Sequence, residues 1–271
     1  MNKLFFLGLA VAISIVSVMP AHAAITAEKD SADFTYKYEF NSGGTPDTLD
    51  LDSNTVNDFS HAKAEGTSSV SGGNLNMSVA ARAYEEGFYS QDAGEAWDVL
   101  GPTVASGNTV EIRLKVLSDI GKVVASGNSF GATAMIGGAS GGASVGWLGI
   151  CGTGQYWGYS SADARVGSEE DNTDDFHVFR VAQEEGSSTF SVWRDGVLLS
   201  NTLASAYGGE LDTLRIADTS DNIGGSVQID YVRFTTGAYA PATAVIPEPT
   251  SAVMLLGLAG VALLLRLRRR K

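Results

Sequence analysis

The 271-residue sequence is poor in several residue types on which common kinds of protein depend. It has one cysteine, Cys151, within an apolar run, so no intramolecular disulfide can form and a buried structural thiol is expected. Two of its three histidines, His61 and His177, lie in the body and lack the spacing of metal ligands. The glycine-rich stretch 137–154 lacks the Gly-Lys-Ser/Thr ending of a phosphate-binding loop. These absences exclude a disulfide scaffold and disfavour both a histidine-based metal centre and a nucleotide site.

Positive charge is also scarce, except at the two ends of the chain. The sequence has 18 Lys and Arg against 31 Asp and Glu, a net charge of −13. Six of the basic residues and one acidic residue lie in segments 1–23 and 246–271, so the body between them holds 12 basic and 30 acidic residues, a net charge of −18. Such a surface repels phosphate backbones, so we expect no nucleic-acid partner. It favours solubility and attracts divalent cations.

The N-terminus has the parts of a secretory signal peptide over residues 1–23. Lys3 precedes an apolar run over residues 4–19, and Ala21-His22-Ala23 supplies two small residues at the required positions. We predict that signal peptidase cuts between Ala23 and Ala24. A retained membrane anchor is the alternative, which the shortness of the run disfavours.

The C-terminus combines a Pro-Glu-Pro motif, a short apolar run and a basic end. The motif is Pro247-Glu248-Pro249, the run covers residues 252–265, and five of the last six residues are Arg or Lys. A helix over the run would be about 22 Å long, against about 30 Å for the bilayer core, and snorkelling arginines would cover the deficit. Because basic ends stay in the cytoplasm, we expect the body to face outward and the inner membrane to be contacted transiently through residues 252–265.

Residues 245–271 resemble the PEP-CTERM sorting signal of Gram-negative bacteria, although Ile246 stands where that family usually has valine. The resemblance implies processing by an exosortase, a membrane-embedded cysteine transpeptidase, and association with exopolysaccharide production. Pro247, Glu248 and Pro249 would be its recognition residues, and the enzyme would be another protein. The alternative is a C-terminal anchor that is never cut. We therefore expect export through the inner membrane and residence at the cell surface or in the extracellular matrix.

The body is predicted to be one all-β domain over residues 34–236. Alternating apolar and polar residues indicate half-buried strands, clearest over residues 110–116. The predicted strands cover 34–40, 75–79, 110–116, 130–137, 144–151, 155–160, 176–181, 189–193, 197–199, 211–217 and 226–235. Short strands separated by turn residues, with no amphipathic helix, predict an antiparallel sandwich. We expect loops over most of 41–74 and over the acidic stretch 161–175, a loose segment over 24–33 and a linker over 237–245.

Four segments in the second half resemble a laminin-G-like, concanavalin A-like jelly roll. They cover residues 175–181, 190–196, 216–218 and 227–234, and the Trp193-Arg194-Asp195-Gly196 hairpin is among the better markers. The resemblance implies the fold and leaves the activity open, because lectins, adhesive domains and glycoside hydrolases share it.

The same resemblance implies a structural calcium ion. Jelly rolls that tie their termini with calcium place an acid of the closing strand beside the first strand. Here Asp230 is that acid, and Glu39 and Asn41 are the matching oxygen donors. The alternative is an acidic strand residue without a metal.

The acidic residues do not form the constellation that glycoside hydrolases of this fold carry, Glu-x-Asp-x-x-Glu on a strand. The nearest match, Glu169-x-Asp171-x-x-Asp174, departs at the third acid and lies in a stretch without strand alternation. Because a flexible loop does not hold two carboxylates within catalytic tolerance, we predict no catalytic residues.

Aromatic residues are the remaining candidates for a binding function. Tyr156 and Trp157 lie in glycine-rich strands and would either stack on sugar rings or fill the core. Trp97, in a polar stretch, is the better candidate for an exposed contact. We therefore predict a non-catalytic, exosortase-sorted protein that contacts polysaccharide. A structural envelope protein without a ligand and a secreted glycan-cleaving enzyme are the alternatives.

Overall fold

A computed structural model of the protein describes residues 25–50, 59–64, 66–79, 95–100, 107–121, 134–140, 143–157, 164–187, 189–204, 213–218 and 223–242. Within these ranges the chain is almost wholly extended, apart from 3-10 turns at Ser31–Asp33, Phe40–Ser42 and Pro46–Thr48. None of the helical turns in these ranges is long and apolar enough to span a bilayer. The predicted cleavage site at Ala23 and Ala24, the Pro247-Glu248-Pro249 motif and the run 252–265 lie outside the described residues.

The strands of the described ranges form two antiparallel sheets and one short parallel pair. In chain order they are β1 (Glu28–Lys29), β2 (Tyr36–Glu39), β3 (Phe59–Ala64), β4 (Thr67–Ser71), β5 (Asn74–Val79), β6 (Glu95–Leu100), β7 (Asn108–Gly121), β8 (Ala134–Ser140), β9 (Ala143–Cys151), β10 (Gly154–Trp157), β11 (Ala164–Val166), β12 (His177–Gln183), β13 (Thr189–Arg194), β14 (Val197–Ala204), β15 (Thr213–Asp218), β16 (Ile223–Thr236) and β17 (Ala240–Pro241). The first sheet has the order β11-β10-β9-β8-β15-β6-β3. The second has the order β14-β13-β12-β7-β16-β5-β4, with β2 also paired to β16.

The core lies between the two sheets and follows from the alternation seen in the sequence. On β7, Val110, Ile112, Leu114 and Val116 are all buried in the core, while the residues between them face the other way. Neighbouring strands add Phe179, among others, and the first sheet adds its own apolar residues from across the sandwich. Each such side chain contributes about 1.5–3 kcal/mol by leaving water. The predicted antiparallel sandwich is confirmed.

Several strands lie where the sequence predicted loops. Phe59–Ala64 and Thr67–Ser71 form β3 and β4, and Ala164–Val166 forms β11. All three are at sheet edges. Edge strands pair on one side only and tolerate polar residues on both faces, so they lack the apolar alternation by which strands are found in a sequence.

The two ends of the described body meet in what we call the terminal clasp, formed by β1, β17 and Arg180. Glu28 pairs with Ala240 and Lys29 with Pro241 in parallel register. The Arg180 Nη1 donates to the carbonyl oxygens of Lys29 (2.9 Å) and Ala240 (2.8 Å). Residues 25–33 are thus docked rather than loose, and 240–241 are strand rather than linker. A two-residue strand has no periodicity, so the sequence does not reveal it.

A small apolar cluster lies beneath the clasp on the outer face of the second sheet. Ile25 and Ala240 pack there against Trp193 and Ala182. The clasp therefore covers this part of the outer face with the segments around β1 and β17.

Ending the chain at residue 236 instead of 242 should destabilise the body. The loss removes the Ala240 carbonyl from Arg180, uncovers Trp193, and leaves a buried donor unsatisfied at a cost of about 1–3 kcal/mol. Urea unfolding of proteins covering 25–242 and 25–236 measures the difference. Tyr239→Ala in the longer protein keeps both carbonyl bonds and should lose less, whereas equal midpoints for the two lengths would contradict a stabilising clasp.

Candidate functional site

The outer face of the first sheet is defined by the pairing of its strands. Trp157, Leu148 and Ile216 lie in one register row, with Ile136 between the last two, and the side chains of all three are buried in the core. Because successive residues of a strand face opposite sides, the neighbouring row belongs to the outer face. That row runs through Arg165, Tyr156 and Gly149.

Arg165 lies on this face, and two neighbouring side chains hold its guanidinium in place. Its guanidinium lies 5.4 Å from the centroid of the Tyr156 ring, and its Nη2 donates to the Tyr156 hydroxyl at 3.0 Å. Its Nη1 lies 3.1 Å from Oε1 of Glu169. The Arg165 side chain is 31% exposed, whereas Tyr156 is only 4% exposed. Arg165, rather than the tyrosine ring, is therefore presented to solvent, and the idea of Tyr156 as an exposed platform is wrong.

Trp157 is a core residue and not a platform for sugar. It is 6% exposed, packs against Phe190 with 4.8 Å between ring centroids, and donates from Nε1 to the Ala204 carbonyl at 2.9 Å. Of the two alternatives that the sequence left open, core packing is correct.

Trp97 lies on β6 and not in a polar loop. Its backbone pairs with Ile216, a fully buried residue, and with His61 of the edge strand β3. The neighbouring Glu95 and Asp98 made this strand look like a loop in the sequence.

A network of buried charge occupies the outer face of the second sheet. Arg180 binds Glu111 through both Nε (2.7 Å to Oε2) and Nη2 (2.5 Å to Oε2), and each side chain is 3% exposed. Tyr231 donates from its hydroxyl to Oε1 of Glu111 at 3.0 Å. Both carboxylate oxygens thus have donors.

The surroundings of Tyr231 fix its protonation. Burial, with the Glu111 carboxylate adding to it, raises the pKa of Tyr231 far above its ordinary value. The phenol therefore remains a donor to Glu111 at any physiological pH. A carboxylate that is bonded in this way and shielded from solvent is a structural anchor rather than an accessible general base.

A pocket of about 230 Å³ lies beside this network, under the clasp. Its lining includes three carboxylates, from Asp30, Glu111 and Asp195, against one guanidinium, from Arg180. Such a lining disfavours anionic ligands, and the Glu111 and Asp195 carboxylates already accept hydrogen bonds from the protein.

The calcium site predicted from Asp230, Glu39 and Asn41 does not fit the observed donors. Arg233 donates to Oε1 of Glu39 from Nε (2.9 Å) and Nη2 (2.6 Å), and Arg113 forms an ion pair with Asp230. No group of three potential ligands among His, Cys, Asp and Glu occurs in the described ranges. A cation here would have to displace both guanidiniums.

A β-bulge explains why Asp230 meets an arginine. In the pairing of β16 with β7, Ile229 lies opposite Leu114 and Tyr231 opposite Arg113, so Asp230 is the extra residue of the bulge beside Arg113. The sequence shows the acids but not the register that brings arginines to them.

The acidic stretch 168–175 is a structured loop that joins the two sheets. Its centre is the fully buried Asn172, whose N–H donates to the Gly152 carbonyl and whose carbonyl accepts from the Val116 N–H, both at 2.9 Å. The Asn172 side chain donates to the Cys151 carbonyl (2.8 Å) and accepts from Nε of Arg194 (3.0 Å). We call residues 168–175 the acidic loop; it is held by these bonds and is not a loose segment.

The three acids of the partial hydrolase motif have separate partners. Glu169 pairs with Arg165. A hydrogen bond from the Thr173 hydroxyl lowers the pKa of Asp171, and one from His177 lowers the pKa of Asp174. A general acid needs a raised pKa, so the shifts of Asp171 and Asp174 have the opposite sign.

Comparison with known proteins finds solved structures of similar fold, but no related sequence. No family model and no curated protein matches the chain. A sialidase structure is similar with a TM-score of 0.51 at 9% identity, covering 74% of this chain but 18% of the sialidase. Two further similar structures are the catalytic domain of an endo-1,3-β-glucanase (laminarinase) from Thermotoga petrophila RKU-1 (TM-score 0.48, 15% identity, 74% of this chain and 96% of that one) and the Emp46p carbohydrate recognition domain (0.44, 8%, 75% and 100%). The described strands and the likeness to the sialidase show the fold alone, an antiparallel β-sandwich, as predicted.

Arg180→Met should destabilise the protein by about 3–5 kcal/mol, because it leaves the Glu111 carboxylate buried without its cation. Arg113→Met, at the half-exposed pair with Asp230, is the matched control and should cost at most about 1 kcal/mol. Chemical denaturation gives both values. The double variant Glu111→Leu/Arg180→Met should recover part of the loss. Equal losses at Arg113 and Arg180 would contradict the central role of the buried pair.

Proposed function

We propose that this protein is an exported, non-catalytic component of the cell surface or extracellular matrix, and that it contacts polysaccharide through the outer face of the first sheet. One observation carries the proposal. The exposed Arg165 guanidinium is fixed over Tyr156 on the face opposite the one that the terminal clasp seals.

The chemistry of this face suits a neutral or acidic sugar polymer. A planar guanidinium that is already held by Tyr156 and Glu169 loses little freedom when it donates to sugar hydroxyls or carboxylates.

The carboxylates support binding rather than cleavage. Glycoside hydrolysis needs two acids flanking one bond, one of them with a raised pKa. In this chain Glu111 is buried under Arg180, Glu39 is held by Arg233, and the acids of the acidic loop have separate partners. A purely structural envelope role is the second candidate, because these satisfied pairs also suit a rigid spacer.

Export and sorting are supported by the two ends of the sequence. The N-terminal signal implies cleavage after Ala23 by signal peptidase, and the PEP-CTERM-like tail implies recognition of Pro247-Glu248-Pro249 by an exosortase.

The mature protein should begin at Ala24 and lack the residues after the Pro-Glu-Pro motif. Intact-mass measurement on protein from the native cell tests both ends at once. A species that retains Arg266 to Lys271 would contradict the sorting step, and replacing Pro247-Glu248-Pro249 with alanines should cause that species to accumulate.

Arg165→Gln should reduce retention of the protein on insoluble polysaccharide several-fold, because it removes the cation presented by the first sheet. Lys37→Gln is the matched control, since it removes the same charge from an exposed position on the second sheet. The measurement is a pull-down on a panel that includes the producer's own exopolysaccharide. Thermal melting of both variants checks that the fold is retained.

The same panel separates the three classes of function. Retention without new reducing ends is expected of a binding protein. Robust release of reducing ends would instead establish an enzyme, and absence of retention on every polysaccharide would leave the structural role.

A further inference from the structure

His177, which the proposed function does not use, lies between two carboxylates. Its Nε2 is 2.8 Å from Oδ1 of Asp174, and its Nδ1 is 2.8 Å from Oδ2 of Asp195. The ring is only 13% exposed, so it is held at this position and does not sample bulk solvent freely. The two partners belong to different elements, Asp174 to the acidic loop and Asp195 to the turn between β13 and β14.

Both contacts require a doubly protonated ring. An ionised carboxylate only accepts hydrogen bonds, and a neutral imidazole has a single N–H. The imidazolium form of His177 can donate to Asp174 and Asp195 together. After loss of one proton, a ring lone pair would face one of the two carboxylates, and that contact would turn from attractive to repulsive.

The charged groups around the ring decide which contact is lost. The acidic loop contributes Asp171, Asp174 and Asp175. Strand β7 contributes Lys115, and the β13–β14 hairpin contributes Arg194 and Asp195. Asp195 keeps other donors, the Val178 N–H and Nη1 of Arg194 at 3.2 Å.

Asp174 is the more exposed of the two carboxylates. Its side chain is 61% exposed, against 40% for Asp195. Lys115 donates to the backbone carbonyl of Asp174 and not to its carboxylate. Because water replaces a lost hydrogen bond more readily at the more exposed carboxylate, the bond to Asp174 is the one that gives way.

We propose that His177 is a proton-dependent latch of the acidic loop. When the ring carries two protons it ties the loop to the β13–β14 hairpin, and when it loses one proton the Asp174 end of the loop is released. Since Asn172 of the same loop bonds to both sheets, release loosens the connection between Gly152 and Val116 at this end of the sandwich.

The test measures the ring and the loop in the same full-length protein. NMR of the histidine ring nitrogens reports the protonation of His177, and hydrogen exchange reports the opening of residues 168–176. We expect exchange, corrected for its intrinsic pH dependence, to rise several-fold at the pH where the ring signal shows loss of a proton. His61→Gln, which changes a histidine on the edge strand β3, should keep this step.

Two variants separate a latch from a general loss of stability. His177→Gln should exchange rapidly in the loop at every pH, without a step, while exchange in the β7 core stays slow. Asp174→Asn is a milder change that should weaken the step and leave the hairpin unaltered. A wild-type loop whose corrected exchange does not follow the His177 ring, or a step that persists in His177→Gln, would overturn the latch.

Discussion

The buried pair of Glu111 and Arg180 is the interaction on which the rest of this structure depends. Burying two charges costs several kcal/mol each unless every lone pair and proton is satisfied. Here the cost is offset by the Tyr231 hydroxyl on one side and by the carbonyls of Lys29 and Ala240 on the other. One ion pair thus connects β7, β12 and β16 with the first and last strands of the described body, β1 and β17. The body has a net charge of −18 and no disulfide, so this network, rather than a covalent link, holds β1 and β17 together.

The outer faces of the two sheets differ near the clasp. On the second sheet Arg180 and Glu111 are buried beneath β1 and β17. On the first sheet the Arg165 side chain is 31% exposed and is held by Tyr156 and Glu169. This exposed and held guanidinium links the fold to the proposed function.

The sequence predicts the core well and the site poorly, for a physical reason. The alternation on β7 is local, so Val110, Ile112 and Leu114 could be assigned to the core directly. The charged partners are non-local: Arg180 lies 69 residues from Glu111, and Arg233 lies 194 residues from Glu39. No spacing rule reaches across such distances, so the sequence does not show that arginines hold two of the acids that the jelly-roll resemblance suggested as calcium ligands. Trp97 illustrates the same limit. Its polar neighbours hide the alternation typical of a strand, and the pairing of β6 with β15 is what defines the strand.

The clasp and the acidic loop are each held by a basic side chain, Arg180 in the clasp and His177 at the loop. The chemistry of the two bases separates a permanent contact from one that can respond to pH. A guanidinium keeps its proton at every pH that a cell meets, so the bonds of Arg180 are insensitive to the medium. An imidazolium ring can give up one of its two protons, so the carboxylate bridge built on His177 can open where the bonds of Arg180 cannot. The permanent bridge holds β1 and β17 on the sealed face. The responsive bridge lies at the loop whose Glu169 supports Arg165, and so adjoins the face that we assign to polysaccharide.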